Sequence, residues 1–199
     1  MVLSACSLHQ VHSDANHQTF SLRPGDLERS GLAFITPSTV TGQEEEKQAV
    51  AFVFAEVLKE RRPAIRVLAL AETLSAVNAA GLADEYRRMY ADYRDTGIFK
   101  RDILAQVGTV TKTRYVAQLK LAGFTQASAN RFGIFGIRIV DTRSARIRLF
   151  FQVWDTTDGT IAWEGVHEMD YAFESLEEKA VTLRTILKET AQALVDRLP

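Results

Sequence analysis

The feature that most restricts the fold is a pair of alternating runs joined by Asp-Gly. Ala145 to Asp155 alternates apolar and polar residues, Thr156-Thr157-Asp158-Gly159 follows, and Thr160 to Ala172 alternates again. Period-two alternation presents one apolar face, and Asp-Gly between two such runs predicts a β-hairpin. A type I turn with Gly159 in the left-handed position would pair Thr156 with Thr160 and fix the register outward from the turn. Val153 then faces Trp163, Phe151 faces Gly165, Leu149 faces His167 and Ile147 faces Met169. On the other face Arg148 meets Glu168 and Arg146 meets Asp170, where opposite charges across a strand pair add roughly 0.2–1 kcal/mol each. A slip of one residue would turn Trp163 to the wrong face and break both ion pairs. Apolar and ionic patterns therefore agree on one register.

The rest of the domain reads as alternating strands and helices. Leu32-Ala33-Phe34-Ile35, closed by Pro37, suits a buried strand. Thr41 and Glu44 form a capping-box pattern ahead of a helix that carries Val50, Phe54, Val57 and Leu58 and stops before Pro63. Ile65–Leu70 reads as a second strand, Thr73–Ala80 as a short helix, and Leu82–Asp95 as a longer one closed by Gly97. On that longer helix Leu82, Tyr86, Met89, Tyr90 and Tyr93 share one face. An aromatic core face with solvated Arg87, Arg88 and Arg94 is preferred there to a nucleic-acid patch. Ile103–Val107 is a further helical turn, and Tyr115–Leu121 a third strand. Ser175 and Glu178 form a second capping-box pattern before a last helix with Leu183, Leu187 and Leu194 at helical spacing. Two strand–helix–strand crossovers make the first three strands parallel neighbours. The expected architecture is an α/β domain with a mixed sheet of about five strands, three parallel plus the antiparallel hairpin, and helices packed on it.

Two segments fall outside this pattern. Ser7 to about Pro24 is polar without a sustained period and reads as a flexible leader. Residues 1–26 are thus expected to form a tether and residues 27–199 a single domain. His9, His12, His17 and Asp14 are read as solvated tether residues rather than metal ligands, because a mobile segment lacks the contacts that orient ligands. Gly123–Gly136 mixes glycines with Phe124, Phe132 and Phe135 and reads as an irregular loop. Its candidate partner-binding residues are Asn130, Arg131, Phe132, Ile134 and Phe135, with a loop tucked into the core as the alternative.

The only cysteine is Cys6, so no intrachain disulfide forms and no site built on several cysteines is available. Leu3-Ser4-Ala5-Cys6 resembles the lipobox of bacterial lipoproteins, whose cysteine carries lipid. Only Met1 and Val2 precede it, whereas a signal peptide needs an apolar stretch of roughly 7–15 residues, which places the natural start upstream. The alternative is a chance tetrapeptide in a cytosolic protein. Ser7 in the next position resembles outer-membrane sorting.

Phe34-Ile35-Thr36-Pro37, Arg114-Tyr115-Val116 and above all Val153-Trp154-Asp155-Thr156-Thr157-Asp158-Gly159-Thr160-Ile161-Ala162-Trp163-Glu164-Gly165 resemble a superfamily of periplasmic lipoproteins. It includes the amino-terminal domain of TolB, the curli-secretion lipoprotein CsgG and the LpoB-type activators. The resemblance spans about Gly31 to Pro199. It implies a fold like an anticodon-binding domain and a non-catalytic protein-binding role among other cell-envelope proteins, held to the membrane by a lipid anchor. It departs from the pores in showing no insertion of long extra strands, and from TolB itself in lacking propeller repeats.

Other function classes find little support. The hydrolase elbow, P-loop, dinucleotide fingerprint and HExxH motif are all missing from the sequence. His167, Glu168 and Asp170 form the one local acid–base cluster, and on a strand His167 points away from the two acids. With 24 basic and 25 acidic residues, net charge −1, no basic field is available for nucleic acid. No cofactor or metal is implied. A small-molecule pocket beneath the Gly123–Gly136 segment remains the alternative to a protein-binding adaptor.

Overall fold

A computed structural model of the chain describes residues 9–131, 140–175 and 182–199. Its elements are β1 (His9–Thr19), α1 (Asp26–Ser30), β2 (Leu32–Phe34), β3 (Ser38–Thr39), α2 (Glu44–Arg61), β4 (Val67–Leu68) and α3 (Leu70–Ala79). Then follow α4 (Ala83–Thr96), α5 (Arg101–Thr111), β5 (Tyr115–Arg131), β6 (Val140–Asp155), β7 (Ile161–Ser175) and α6 (Leu183–Val195). The strands make one mixed seven-stranded sheet in the order β1-β7-β6-β5-β2-β4, with β3 against β5. β2 runs parallel to both β4 and β5, while β5, β6, β7 and β1 are successively antiparallel. The expected parallel core and antiparallel hairpin are both present, and β1 and β3 are additions to the expected set.

Helices lie on both faces. One face carries Leu32, Phe34, Tyr115, Ala117, Leu119, Ile147, Leu149, Phe151, Val153 and Trp163, packed under α2 and α6. The other presents Ala33, Ile35, Val116 and Trp154 to Tyr86, Met89 and Tyr93 of α4 and to Leu104 and Val107 of α5. Strand alternation sorts these residues, since successive side chains leave opposite faces. On α4 the aromatic face is buried and Arg87, Arg88 and Arg94 are exposed. The α4 face is core. Tyr86 and Tyr90 also reach the turn after β2, Tyr86 Oη accepting from Thr36 N at 2.8 Å and Tyr90 Oη donating to Pro37 O at 2.7 Å.

The β6–β7 register is the one the alternation and ion pairs require. Val153 pairs with Trp163, Phe151 with Gly165, Leu149 with His167, Ile147 with Met169, Arg148 with Glu168 and Arg146 with Asp170. Arg148 Nη2 lies 2.5 Å from Glu168 Oε1, and Arg146 also bonds Asp170. The turn itself differs by one residue. It closes between Asp155 and Thr160 rather than Thr156 and Thr160, with Asp155 N donating to Thr160 O at 2.9 Å and Gly159 at φ 77°. A shift at Val153/Trp154 absorbs the extra residue and restores the expected pairing beyond it. At this bulge the Ala162 carbonyl accepts from Phe20, Ser21 and Leu22 N–H groups, which turns the chain out of β1.

Several expectations are corrected. The flexible leader and the boundary at residue 26 give way to β1, which pairs with β7 without a break from His9↔Phe173 to Thr19↔Trp163. An edge strand takes its hydrogen bonds from its neighbour and needs little apolar character of its own, so a polar sequence serves. The irregular loop expected at Gly123–Gly136 is replaced up to Arg131 by strand, with a register shift between Leu121 and Gly123. Long strands therefore do extend beyond the core. The Thr41/Glu44 capping box does not form: Gln43 occupies the cap position, while Thr41 Oγ1 donates to Glu46 Oε2 at 2.6 Å. Thr182 caps α6, its hydroxyl accepting from Thr185 N, and Glu178 of the expected Ser175/Glu178 box lies outside the described residues. The second strand shortens to Val67–Leu68, and α3 starts at Leu70.

Trp163 and Gly165 show how closely the core is fitted. Both lie on the helix-covered face, two residues apart, and the indole folds over the glycine. A Cβ on Gly165 would stand 2.4 Å from Trp163 Cη2 and 2.9 Å from Leu194 Cδ2. The indole is itself held by Phe151 edge-on at 5.4 Å and by His17 stacked at 6.1 Å, so it has no room to yield. Gly165→Ala should therefore lower unfolding stability by about 1–3 kcal/mol, read by urea denaturation. An unchanged midpoint would show that the indole is free to move.

Candidate functional site

The antiparallel strands β5, β6 and β7 are far longer than the parallel ones and together form an arm. β5 and β6 stay paired from Tyr115↔Asp155 to Arg131↔Val140, and β7 accompanies β6 as far as Asp141↔Ser175. Asn130 faces Asp141 in the last turns of the ladder. Two of the candidate partner-binding residues, Asn130 and Arg131, thus lie in β5 at the last described pairs of the β5–β6 ladder. Phe132, Ile134 and Phe135 lie outside the described residues, between Arg131 and Val140. The strand signal was present in Ala127-Ser128-Ala129-Asn130, which alternates small and polar residues. Alanine, serine and asparagine have poor strand propensity, so the pattern read as loop until β6 supplied its partner.

The start of β1 lies at the same end of the sheet. Ser128, Arg143, Phe173 and His9 are consecutive partners across β5, β6, β7 and β1. The described chain begins in that row, and Arg131 ends β5 three residues beyond it. Cys6, outside the described residues, is three residues from His9, and a chain extends at most about 3.3–3.6 Å per residue. Pairing of β1 thus brings together residues far apart in sequence.

The acid–base cluster does not converge. His167 is 1% exposed on the helix-covered face, while Glu168 and Asp170 pair with arginines on the other. Its Nε2 is 2.7 Å from Ser13 Oγ and its Nδ1 3.1 Å from Thr190 Oγ1, so it ties β1 and α6 to β7. Burial lowers its pKa from the ordinary value, and Arg197 adds to the effect against an opposing pull from Asp14. The imidazole, set between two hydroxyls, thus links three elements of the fold. His12 and Asp14 sit on the opposite face of β1 from Ser13, and His17 stacks on Trp163. Among the described residues, no group of three or more His, Cys, Asp or Glu is placed to hold a metal.

At the turn end, Asp155 is nearly buried, and burial alone would raise its pKa. The Arg114 guanidinium at 2.6 Å and hydrogen bonds from Thr157 outweigh that and hold it below the ordinary carboxylate range. Asp155 is thus a structural anion that fastens the hairpin turn to the start of β5.

Two concavities were invisible to the sequence because distant elements meet in them. A groove of about 550 Å³ between α2 and α3 is lined by Ala49, Phe52, Leu70 and Leu74, with Glu45 and Gln48 also in its wall. A smaller one of about 270 Å³ lies among Ser38, Thr39, Tyr93, Arg94 and Lys120. Beside it, burial pushes the Tyr93 phenol up to about 12, and its hydroxyl donates to Gln152 Oε1 at 3.1 Å. No helix of the described residues is long and apolar enough to cross a membrane.

His167 predicts a pH dependence. Its folded-state pKa lies below the ordinary 6.5, so its contribution is complete above that value and is lost as pH falls through and below it. His167→Ala should cost about 1–3 kcal/mol at pH 7, because the Ser13 and Thr190 hydroxyls lose their partner. It should also flatten the decline in stability between pH 7 and 5. Urea midpoints measured across that range check both effects, and an equally steep decline in the variant would exclude His167 as its source.

No protein-family model matches the chain, and no curated protein matches it. Among solved structures, the PelC dodecamer from Paraburkholderia phytofirmans is 12% identical, with TM-score 0.46 and 94% of each chain covered. Lipoprotein GNA1162 from Neisseria meningitidis is 11% identical, with TM-score 0.43 over 84% of this chain and 96% of that one. The rare lipoprotein B from Shewanella oneidensis is 10% identical, with TM-score 0.34 over 83% and 89%. Bacterial lipoproteins are thus among the structures this chain is similar to, in chain arrangement and at low identity.

Proposed function

We propose that the protein is a non-catalytic lipoprotein of the bacterial envelope, anchored through Cys6, that docks other envelope proteins through the end of its β5–β6 arm. The observation that supports this reading is the short sequence spacing between the lipobox and β1. Only Ser7 and Leu8 separate Cys6 from β1, and β1 begins beside the strands that form the arm. A lipid on Cys6 would hold this end of the sheet against the bilayer without a long tether. Ser7 favours the periplasmic face of the outer membrane. Asn130 and Arg131 would present Phe132, Ile134 and Phe135 to a partner at that surface, where a few apolar anchors supply most of the binding energy.

The proposal is tested with the chain expressed behind a lipoprotein signal peptide. The protein should incorporate labelled fatty acid and sediment with membranes, and Cys6→Ser should abolish both, because one lipid-bearing residue supplies the anchor. Incorporation unchanged in Cys6→Ser would overturn the anchor. Serine at Phe132, Ile134 and Phe135 together should weaken recovery of envelope proteins cross-linked to the chain, with little change in melting temperature. A collapsed melting temperature would place these side chains in the core instead.

A further inference from the structure

The two edges of the sheet are finished differently. At one edge β4 is two residues long, which leaves little backbone for another strand to pair with. At the other, β1 runs for 11 residues with no shift in its register against β7, and no strand pairs with its outer side among the described residues. Natural edge strands are blunted with proline, lysine, bulges or a covering element. His9–Thr19 contains no proline, lysine, arginine or glycine. It is also held in place, by Ser13 on His167 and by His17 on Trp163. The result is a long, straight, fixed row of backbone donors and acceptors.

The charge pattern at this edge points to its occupant. Across the exposed face one row runs Arg148, Glu168, Asp14 and the next runs Arg146, Asp170, His12. Arg148 pairs with Glu168, so Asp14 ends its row beside a carboxylate, with Asn16 Nδ2 at 3.0 Å as its hydrogen-bond partner and no cation within salt-bridge distance among the described residues. We propose that β1 pairs antiparallel with β1 of a second copy of this chain, joining the two sheets across a two-fold axis.

Such an axis stands perpendicular to the sheet and sets one residue opposite itself, because paired side chains must share a face. With Asp14 on the axis two carboxylates would meet, which is unfavourable. With Ala15 on the axis, Asp14 meets the partner's Asn16. With Ser13 on the axis, Asp14 meets the partner's His12, and the symmetry makes that contact twice. An imidazole donates to a carboxylate and gains from it when protonated, so the Ser13 register completes both rows. It pairs residues 9–17 of each strand. The inference stands on the β1 edge alone and does not rely on the lipid anchor.

The test uses the full chain with Cys6→Ser, so that no native thiol interferes. Sedimentation should show a monomer–dimer equilibrium that shifts with concentration. His12→Asp sets two carboxylates against each other in each contact and should weaken the dimer at least tenfold. Adding Asp14→Lys to that variant restores opposite charges and should recover the dimer. Oxidation should cross-link a Ser13→Cys variant through residue 13, whereas Asn16→Cys, far from its own copy in this register, should stay uncross-linked. Circular dichroism confirms that each variant is folded. A monomer at every concentration up to about 1 mM, a dimer indifferent to His12→Asp, or equal cross-linking at 13 and 16 would each overturn the proposal.

Discussion

The packing of Trp163 against β6 and α6 is the contact on which the rest of the architecture rests. Its indole lies over Gly165, edge-on to Phe151 and against Leu194, in the middle of the helix-covered face. That position exists only if β6 and β7 pair as Val153↔Trp163. The same register sets the arginines of β6 against the acids of β7, and puts His167 under α6 between Ser13 and Thr190. A single slip would lose all of these together, which makes the hairpin a rigid base for its neighbours.

From that base the sheet grows in two ways. Toward β5, β2 and β4 it becomes a short, doubly covered parallel core, apolar on both faces in the way such strands must be. Toward β1 it remains antiparallel and polar on its outer face, and its strands are long. Asp155, buried and paired with the exposed Arg114, fastens the compact end, while the extended end carries the arm. The molecule thus has a compact end with helices on both faces and an end built from long antiparallel strands. β1 connects the two, through the stack of His17 on Trp163 at one end and the approach to Cys6 at the other.

Much of this was legible in the chain. The hairpin, the register of its strands, its two ion pairs and the burial of His167 followed from alternation and cross-strand charge, which are local properties, whereas the turn itself closes one residue away and a bulge restores the register. The aromatic face of α4 and the parallel relation of β2, β4 and β5 were also readable, from helical spacing and crossover handedness. Of the candidate site, Cys6 and the segment containing Asn130 and Arg131 stood out by residue type.

What the sequence did not reveal was the company those residues keep. His9–Thr19 looks like a disordered leader because nothing in it drives burial, and only the free side of β7 makes it a strand. Ala127–Asn130 looks like loop because its propensity is poor, and only pairing with β6 extends it. The capping signal at Thr41 was displaced because its hydroxyl bonds Glu46 and the helix starts after Gln43. Sequence by itself determined the pattern of each element, since faces and registers are written in spacing of a few residues. Tertiary structure alone decided which polar segments become strands and set the start of β1 in one row with the far part of β5, because backbone hydrogen bonds between distant strands depend on what lies alongside and leave no mark in composition.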